Sequence, residues 1–232
     1  MIGRTILMGA VALFVAGAPD MMEAQSSRTT TAKAAVGSRD LLDRAEAAWA
    51  KVKTARATFE QTITNPLTGG TLVASGEYQQ QRPGKLSVKF DNPATDRIVA
   101  DGKHVWLYLP SSAPGQVIRS ALGSGGTGTV DLSAQFLTAP RTKYTVSSAG
   151  TRVVSGRPTH VFTLVPKASK GAPFKTATVY IDDADATVRQ FQVTEQNGVQ
   201  RTVRLTSLRT NVPVDAAAFA FTPPAGTRIV DQ

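Results

Sequence analysis

Hydrophobic residues between positions 39 and 54 recur at the spacing of an amphipathic helix. Ser38 suits the N-cap, and Asp40 and Asp43 fall in the first turn, where the helix dipole favours negative charge. One apolar face is predicted, formed by Leu41, Leu42, Ala45, Trp49 and Val52. Trp49 lies at the centre of that face.

After residue 54 the hydrophobic period changes to two, which is typical of strands with one face in water. Phe59 and Ile63 alternate with polar neighbours, and a later segment alternates through Leu86, Val88 and Phe90. Turn signals recur at Asn65-Pro66, Gly69-Gly70, Pro83-Gly84, Asn92-Pro93, Asp101-Gly102, Gly156, Asp183 and Asn197-Gly198. The pattern predicts about eleven short strands, joined mostly as hairpins, in one highly curved antiparallel sheet or barrel.

A second helix interrupts this pattern. Residues 119–129 are rich in glycine, which is typical of a flexible loop. Residues 130–138 fit a short helix capped by Thr129, with apolar positions at Val130, Leu132, Phe136 and Leu137. Two amphipathic helices beside many strands predict a mainly β (α+β) fold, in which short helices cover a highly curved antiparallel sheet.

The first residues have the layout of a secretory signal peptide. Arg4 precedes an apolar run over residues 6–16, and small and polar residues follow. About eleven apolar residues are too few for a membrane anchor, since a spanning helix needs about 20. We expect cleavage after Ala24, so that residues 1–24 are the signal peptide, 25–37 a flexible polar leader and 38–232 a single exported domain.

The 232-residue chain contains no cysteine and only two histidines, which excludes thiol catalysis, cysteine-ligated metal sites and disulfides. Its formal net charge is +9, and loss of residues 1–24, with one arginine and two acidic residues, would raise it to +10. The basic residues are scattered rather than grouped with aromatic residues. Solvated strand faces account for them, and no nucleic-acid partner is expected.

Three motifs that could carry chemistry have simpler explanations. Gly123, Gly125 and Gly128 match G-x-G-x-x-G, but no acidic residue follows at the required distance of about 20 positions. His104 and His160 lie in strand patterns, without a G-x-S-x-G elbow or a carboxylate at metal-ligand spacing. The acidic run 182–185 lacks the glycine and final glutamate of an EF-hand and fits a hairpin turn. We therefore predict no catalytic, metal or cofactor site and do not expect an enzyme.

Arg82 follows one predicted strand and precedes the turn at Pro83-Gly84. A guanidinium in that position could donate hydrogen bonds to several backbone carbonyl oxygens. From spacing alone, however, a solvated turn residue is the better explanation.

Several short segments, taken in order, form a more specific signature. They are ATFEQ (57–61), RPGKL (82–86), DGKHVWLY (101–108), VPKAS (165–169) and VDAAAFAFTPPAG (214–226). Together they resemble the periplasmic outer-membrane lipoprotein carriers of the LolA family, over most of residues 39–232. The RPG, DG-x-x-x-W and F-x-F-x-P-P-x-G pieces are fairly specific in combination.

The resemblance implies an incompletely closed antiparallel β-barrel with a helical lid over an apolar cavity. In such a carrier the cavity holds the acyl chains of a lipoprotein, which a LolCDE-type transporter releases from the inner membrane and a LolB-type receptor accepts at the outer membrane. The resemblance thus places the protein in the periplasm, where we expect a monomer. The missing lipobox cysteine argues against the receptor itself.

The alternating apolar faces predict the cavity wall, and the residues are Trp49, Phe59, Leu86, Val88, Phe90, Ile98 and Phe136. The resemblance also singles out Arg82 as a latch that ties the barrel to the lid in the closed, empty state. The alternative function is a lipid- or lipoprotein-sensing regulatory module on the same fold, similar to RseB. Such modules carry an additional domain that 232 residues do not easily accommodate.

Overall fold

The structure is a computed structural model, and it describes residues 37, 40–123, 131–168, 170–172 and 174–232. Twelve strands in these residues form one sheet. The strands are β1 Thr54–Thr64, β2 Thr71–Gln81, β3 Lys85–Asn92, β4 Arg97–Asp101, β5 His104–Tyr108, β6 Gln116–Ala121, β7 Tyr144–Val154, β8 Arg157–Pro166, β9 Thr176–Asp182, β10 Val188–Thr194, β11 Gln200–Thr210 and β12 Arg228–Asp231. The helices are α1 (40–50), α2 Leu132–Leu137, α3 Pro140–Lys143 and a 3₁₀ helix over Ala216–Phe219.

The strands follow the order β12-β6-β5-β4-β3-β2-β1-β11-β10-β9-β8-β7. Every neighbouring pair is antiparallel except β12 and β6. Among these described strands, β12 and β7 stand at opposite ends of the order and do not pair, so the sheet stays open. The predicted mainly β fold with an incomplete antiparallel barrel is confirmed.

The strand count exceeds the expected number because the C-terminal segment adds β12 beside β6. After β11 the chain forms the 3₁₀ helix next to β3 and β4, and it then packs Phe221 against Trp106 and Tyr108. β12 runs parallel to β6, with Ile229 opposite Val117. A parallel pairing needs a long crossover rather than a tight turn, so the turn signals in the sequence do not reveal it.

Helix α1 is shorter than the helix predicted over residues 39–54. It ends at residue 50, where Lys51 and Val52 donate to the carbonyl oxygens three residues earlier and tighten the final turn. Thr54 already pairs with Gln81 at the start of β1. Since an apolar residue such as Val52 fits either period, only the pairing of β1 with β2 determines where the helix ends.

The N-cap of helix α2 is Asp131, two positions after the predicted one. The Asp131 Oδ1 accepts a hydrogen bond from the Ala134 backbone N–H at 2.8 Å. Aspartate is among the strongest N-cap residues, so the helix begins two residues later than predicted. Residues 119–121, expected in a flexible loop, belong to β6 because they pair with β5.

Several expectations concern residues outside the described ranges. They are the signal peptide over residues 1–24, the leader over 25–37 apart from Gly37, the N-cap at Ser38, and the positions Gly125, Gly128, Thr129 and Val130. Among the helices in the described part of the chain, none is long and apolar enough to cross a membrane.

The hydrophobic core lies between helices α1 and α2 and the inner face of the sheet, which we define as the face they cover. The two helices bury Leu42, Ala45 and Trp49 from α1 and Phe136 and Leu137 from α2. Phe136 of α2 belongs to a cluster of aromatic rings, whose other members are Tyr144, Phe174 and Phe191. Each large apolar side chain buried in this way contributes about 1.5–3 kcal/mol, and this burial holds the helices on the sheet.

The acidic run at residues 182–185 forms the turn between β9 and β10, as predicted. The Asp182 carboxylate is 1% exposed and accepts hydrogen bonds from Arg157 and, at 3.0 Å, from Arg189. Burial acts to raise the pKa of Asp182, but hydrogen bonds from both guanidinium groups and from the Ala184 N–H outweigh it and lower the pKa to about 2. The run is therefore a charge-paired turn.

We expect Asp182 to make the free energy of unfolding depend on pH under acid conditions. Its folded pKa of about 2 lies below the ordinary value of 3.8, so its stabilisation is complete above pH 4 to 5 and is lost as the pH falls through 2. Because Arg157 is partly exposed, we expect a contribution of only about 1–2 kcal/mol. In urea titrations from pH 6 to pH 2, Asp182→Asn should be less stable at pH 6 and converge with the parent near pH 2. If the free energies of unfolding of the two proteins differed by the same amount at every pH, the expectation would be wrong.

Candidate functional site

A cavity of about 320 Å³ lies between the inner face of the sheet and helices α1 and α2. Its wall, in the described residues, is formed by Trp49, Phe59, Gln61, Tyr78, Val88, Phe90, Ile98, Ser133, Phe191, Arg201, Val203, Leu205 and Leu208. Apolar side chains dominate this wall. Five residues named from the sequence are part of it, and they are Trp49, Phe59, Val88, Phe90 and Ile98.

The structure places the other two predicted residues, Leu86 and Phe136, in the core and not on the wall. Leu86 lies two residues closer to the β2–β3 turn than Val88 and is buried. The Phe136 ring packs against Phe174 and Phe191, with centroid distances of 5.8 and 5.3 Å. Both residues belong to the buried core cluster that also contains residues of the cavity wall.

Strand β11 supplies much of the wall that the sequence patterns missed. Val203 and Leu205 alternate with polar residues, so the period-two pattern could have identified them. Leu208 breaks this alternation because the register between β1 and β11 shifts between Thr58 and Phe59. An irregularity of this kind adds a residue to one strand and changes which side chains face inward, and it has no signal in the sequence of β11 alone.

Gly76 lies on β2 between two aromatic residues of the wall, where β2 and β3 approach closely. It lies opposite Phe59 on one side and Phe90 on the other, and those two rings meet edge to face with centroids 5.6 Å apart. A Cβ atom at Gly76 would lie 2.2 Å from the Lys89 carbonyl oxygen. The close approach of β2 and β3 therefore requires glycine here.

Arg82 connects the sheet to both helices at one end of the cavity, which we call the closed end. Its Nε donates to the Asp131 Oδ2 at 2.6 Å, and its Nη1 donates to the carbonyl oxygens of Trp49 and Val52 at 2.8 and 3.1 Å. The guanidinium also lies over the Trp49 ring, 5.2 Å from its centroid. One side chain thus holds the C-terminal end of α1 and the N-cap of α2, which a solvated turn arginine would not do.

Asp131 is the common acceptor at this end. Its Oδ1 takes the Trp49 Nε1–H at 3.2 Å as well as the α2 backbone N–H. Nearby, the Tyr78 hydroxyl donates to the Gln80 Oε1 at 2.6 Å, and burial together with the Asp131 charge raises the pKa of Tyr78 far above its ordinary value. Tyr78 therefore stays neutral, and the closed end is a paired polar network beside an apolar wall.

The opposite end of the cavity, which we call the mouth, is marked by Gln61 and Arg201. The Arg201 side chain is 39% exposed, so water reaches the cavity wall at this end. Its Nη1 donates to the Gln61 Oε1 at 3.2 Å and its Nη2 to the Glu195 Oε1 at 3.4 Å. Beyond the mouth, the β1–β2 hairpin exposes Leu67 and Leu72.

The two histidines lie in strands, as predicted, but each has an aspartate near it that sequence spacing did not reveal. His160 Nδ1 lies 2.6 Å from Asp183 Oδ1, and His104 Nδ1 lies 3.9 Å from Asp101 Oδ2. Neither histidine is among the described residues of the cavity wall. Within the described ranges, no three side chains of the metal-ligating types converge.

Comparisons with known proteins agree on one family. A family model described as "Outer membrane lipoprotein carrier protein LolA" matches residues 50–222. The outer-membrane lipoprotein carrier protein of Proteus mirabilis (strain HI4320) is 32% identical over 185 residues, which cover 78% of this chain and 84% of that protein. The carrier of Pectobacterium carotovorum subsp. carotovorum (strain PC1) is 31% identical over 206 residues, covering 88% of this chain and 92% of that one.

Among solved structures, an uncharacterized conserved protein from Thermus thermophilus is similar with a TM-score of 0.53. The match covers 84% of this chain and 99% of the other, at 14% sequence identity. At that identity the likeness shows a shared fold alone.

Proposed function

Because the chain belongs to the LolA family of outer membrane lipoprotein carrier proteins, we propose that its cavity holds the acyl chains of its cargo. The chain is a periplasmic carrier of lipoproteins, a transport protein. The observation that supports a cavity site is the apolar wall, which includes aromatic rings from α1, β1 and β3. Acyl chains are a ligand that such a wall binds without directional contacts.

The hydrophobic effect explains why a carrier is needed. Burial contributes about 0.8 kcal/mol per methylene, so an acyl chain of about 16 carbons gains on the order of 12 kcal/mol by leaving water. Free lipoproteins would therefore stay in the membrane. A carrier must offer comparable burial and still release its cargo at the outer membrane.

A movable lid meets both requirements. The cavity volume of about 320 Å³ lies at the low end for ligand pockets, and cargo with several acyl chains needs more room. We infer that α1 and α2 move away from the sheet on loading, and that Arg82 is the latch that opposes this movement. The contacts of Arg82 with Asp131, Trp49 and Val52 support this role, because all three partners belong to the lid side. Breaking them during loading lowers the net affinity for cargo.

The proposed partners follow from this transport step. An inner-membrane transporter of the LolCDE type supplies the work of extracting the cargo. An outer-membrane receptor of the LolB type then accepts the cargo without an energy source. The proposal also includes a signal peptide over residues 1–24 that is removed on export. The curated relatives are named as carriers, which favours a carrier over a regulatory module that senses lipids.

Uptake of a lipoprotein from inner-membrane vesicles tests the proposal. We expect the exported protein to form a soluble 1:1 complex with a triacylated lipoprotein, observed by gel filtration and native mass spectrometry, and to pass this cargo on to acceptor membranes. Mass spectrometry of the purified protein should also detect copurified acylated molecules. A folded protein that forms no complex would contradict the cavity site, and a complex that never yields its cargo would favour the sensing module.

A further inference from the structure

A positive charge stands in the otherwise uncharged wall of the cavity. Among the lining residues that the structure describes, Arg201 carries the only charge. A guanidinium is costly to surround with apolar groups unless its donors are paired. At the edge of the wall beside Val203 and Leu205, where water still reaches it, the guanidinium is placed to meet a polar group that accompanies an acyl chain.

The strand register shows that Arg201 belongs to the inner face. It lies two residues from the buried Val203 on β11, and it pairs with Ile63 of β1 and Val193 of β10. Side chains two residues apart in a strand point to the same face. With 39% of its side chain exposed, Arg201 stands where the apolar wall meets water.

Within the described part of the chain, the partners of Arg201 engage only part of its hydrogen-bonding capacity. The contacts with Gln61 at 3.2 Å and Glu195 at 3.4 Å are longer than the usual 2.7–2.9 Å of charge-assisted hydrogen bonds. They engage two of the five N–H donors of a guanidinium. On the outer face of the same strand, by contrast, Arg204 is paired closely with Glu60.

We propose that Arg201 and Gln61 form a subsite for the oxygen-rich head of an acylated ligand. The subsite rests on the proposed acyl-binding function of the cavity: the chains lie along the wall from Phe59 to Val88, and the group that joins them remains at the mouth. The chemistry recognised is a hydrogen-bond acceptor next to the acyl chain, either an ester oxygen or a phosphate or carboxylate oxygen. A cationic head is disfavoured by the arginine charge.

Single-chain amphiphiles with one tail and different heads test this subsite. The exported protein is titrated with monopalmitoylglycerol, palmitoyl-lysophosphatidylglycerol and hexadecyltrimethylammonium by displacement of a fluorescent fatty acid. We expect the anionic amphiphile to bind at least tenfold more tightly than the cationic one. Arg201→Gln should reduce this ratio to about two or less, and Arg201→Lys should keep most of it.

Arg204→Gln is the matched control, because it removes the same charge three residues away on the outer face and should keep the parent's ratio. A weaker affinity of Arg201→Gln for monopalmitoylglycerol would identify ester oxygens, as in the cargo, and an effect confined to the phosphate would identify a phospholipid head. A parent that binds all three amphiphiles equally, or an Arg201→Gln protein of unchanged melting temperature that keeps the preference, would overturn the subsite alone. A folded parent that binds none would overturn the acyl-binding cavity as well.

Discussion

Replacing Arg82 with leucine is expected to slow the transfer of cargo to the receptor at least tenfold while leaving the loading step close to normal. In the closed state Arg82 donates to Asp131, Trp49 and Val52, and these contacts are exchanged for water when the lid opens. Hydrogen bonds from a charged donor have a net value of about 1.5–3 kcal/mol each. Since about 1.4 kcal/mol changes an equilibrium tenfold, their loss favours the open, loaded form.

The measurement is a pair of assays on one preparation: extraction of a lipoprotein from inner-membrane vesicles, and its transfer to a receptor or to acceptor membranes. Asp131→Asn keeps an N-cap acceptor but removes the negative partner, so we expect a weaker defect of the same kind. Arg56→Leu removes an exposed arginine from β1 and serves as a control for charge. Normal transfer by the Arg82→Leu protein would show that Arg82 is no latch.

Replacing Val88 with glutamate is expected to weaken the uptake of a triacylated lipoprotein by a factor of about one hundred or more while leaving the circular dichroism spectrum little changed. Val88 lines the cavity between Tyr78 and Ile98. In the empty protein a carboxylate there has open space beside it, but acyl chains would remove that space and its water. Keeping a glutamate neutral at pH 7, against an ordinary pKa of about 4.3, costs ~3.7 kcal/mol, or several hundredfold.

Two further variants separate a cavity residue from an ordinary core residue. Ser87→Glu places the same carboxylate on the opposite face of β3 and should leave uptake intact, and Val88→Phe should reduce uptake by filling space without adding charge. If Val88→Glu unfolds the protein while Val88→Phe binds cargo normally, Val88 belongs to the packed core and the cavity assignment is wrong.

The mainly β fold could be predicted from the sequence because its signals are local. Phe59, Val88 and Phe90 alternate with polar residues, and a strand with one wet face imposes this period wherever it lies in the sheet. Glycine, proline and asparagine mark most of the turns for equally local reasons. The same alternation identified four of the five predicted residues that line the cavity, and these are Phe59, Val88, Phe90 and Ile98.

Contacts between distant segments could not be predicted in this way. Leu208 and Arg201 reach the cavity through the register between β1 and β11, including one irregularity, and β12 joins β6 from a distant part of the chain. The contact of Arg82 with the Asp131 carboxylate, 49 residues away along the chain, is another contact that the sequence did not predict. No period or turn signal encodes which of several charged groups an arginine will meet.

Arg82 shows where sequence and tertiary structure divide. The residue type and its place before a turn are properties of the sequence. They place a guanidinium with five N–H donors directly after β2. By spacing alone the same residue would be solvated. The partners are determined only when α1 and α2 pack on the inner face, because burial of Trp49 and Phe136 brings the end of one helix and the cap of the other within hydrogen-bonding distance. The sequence by itself therefore determined the strands, the turns and the donors, whereas packing decided the acceptors, since hydrophobic burial is non-directional and its outcome depends on the whole chain.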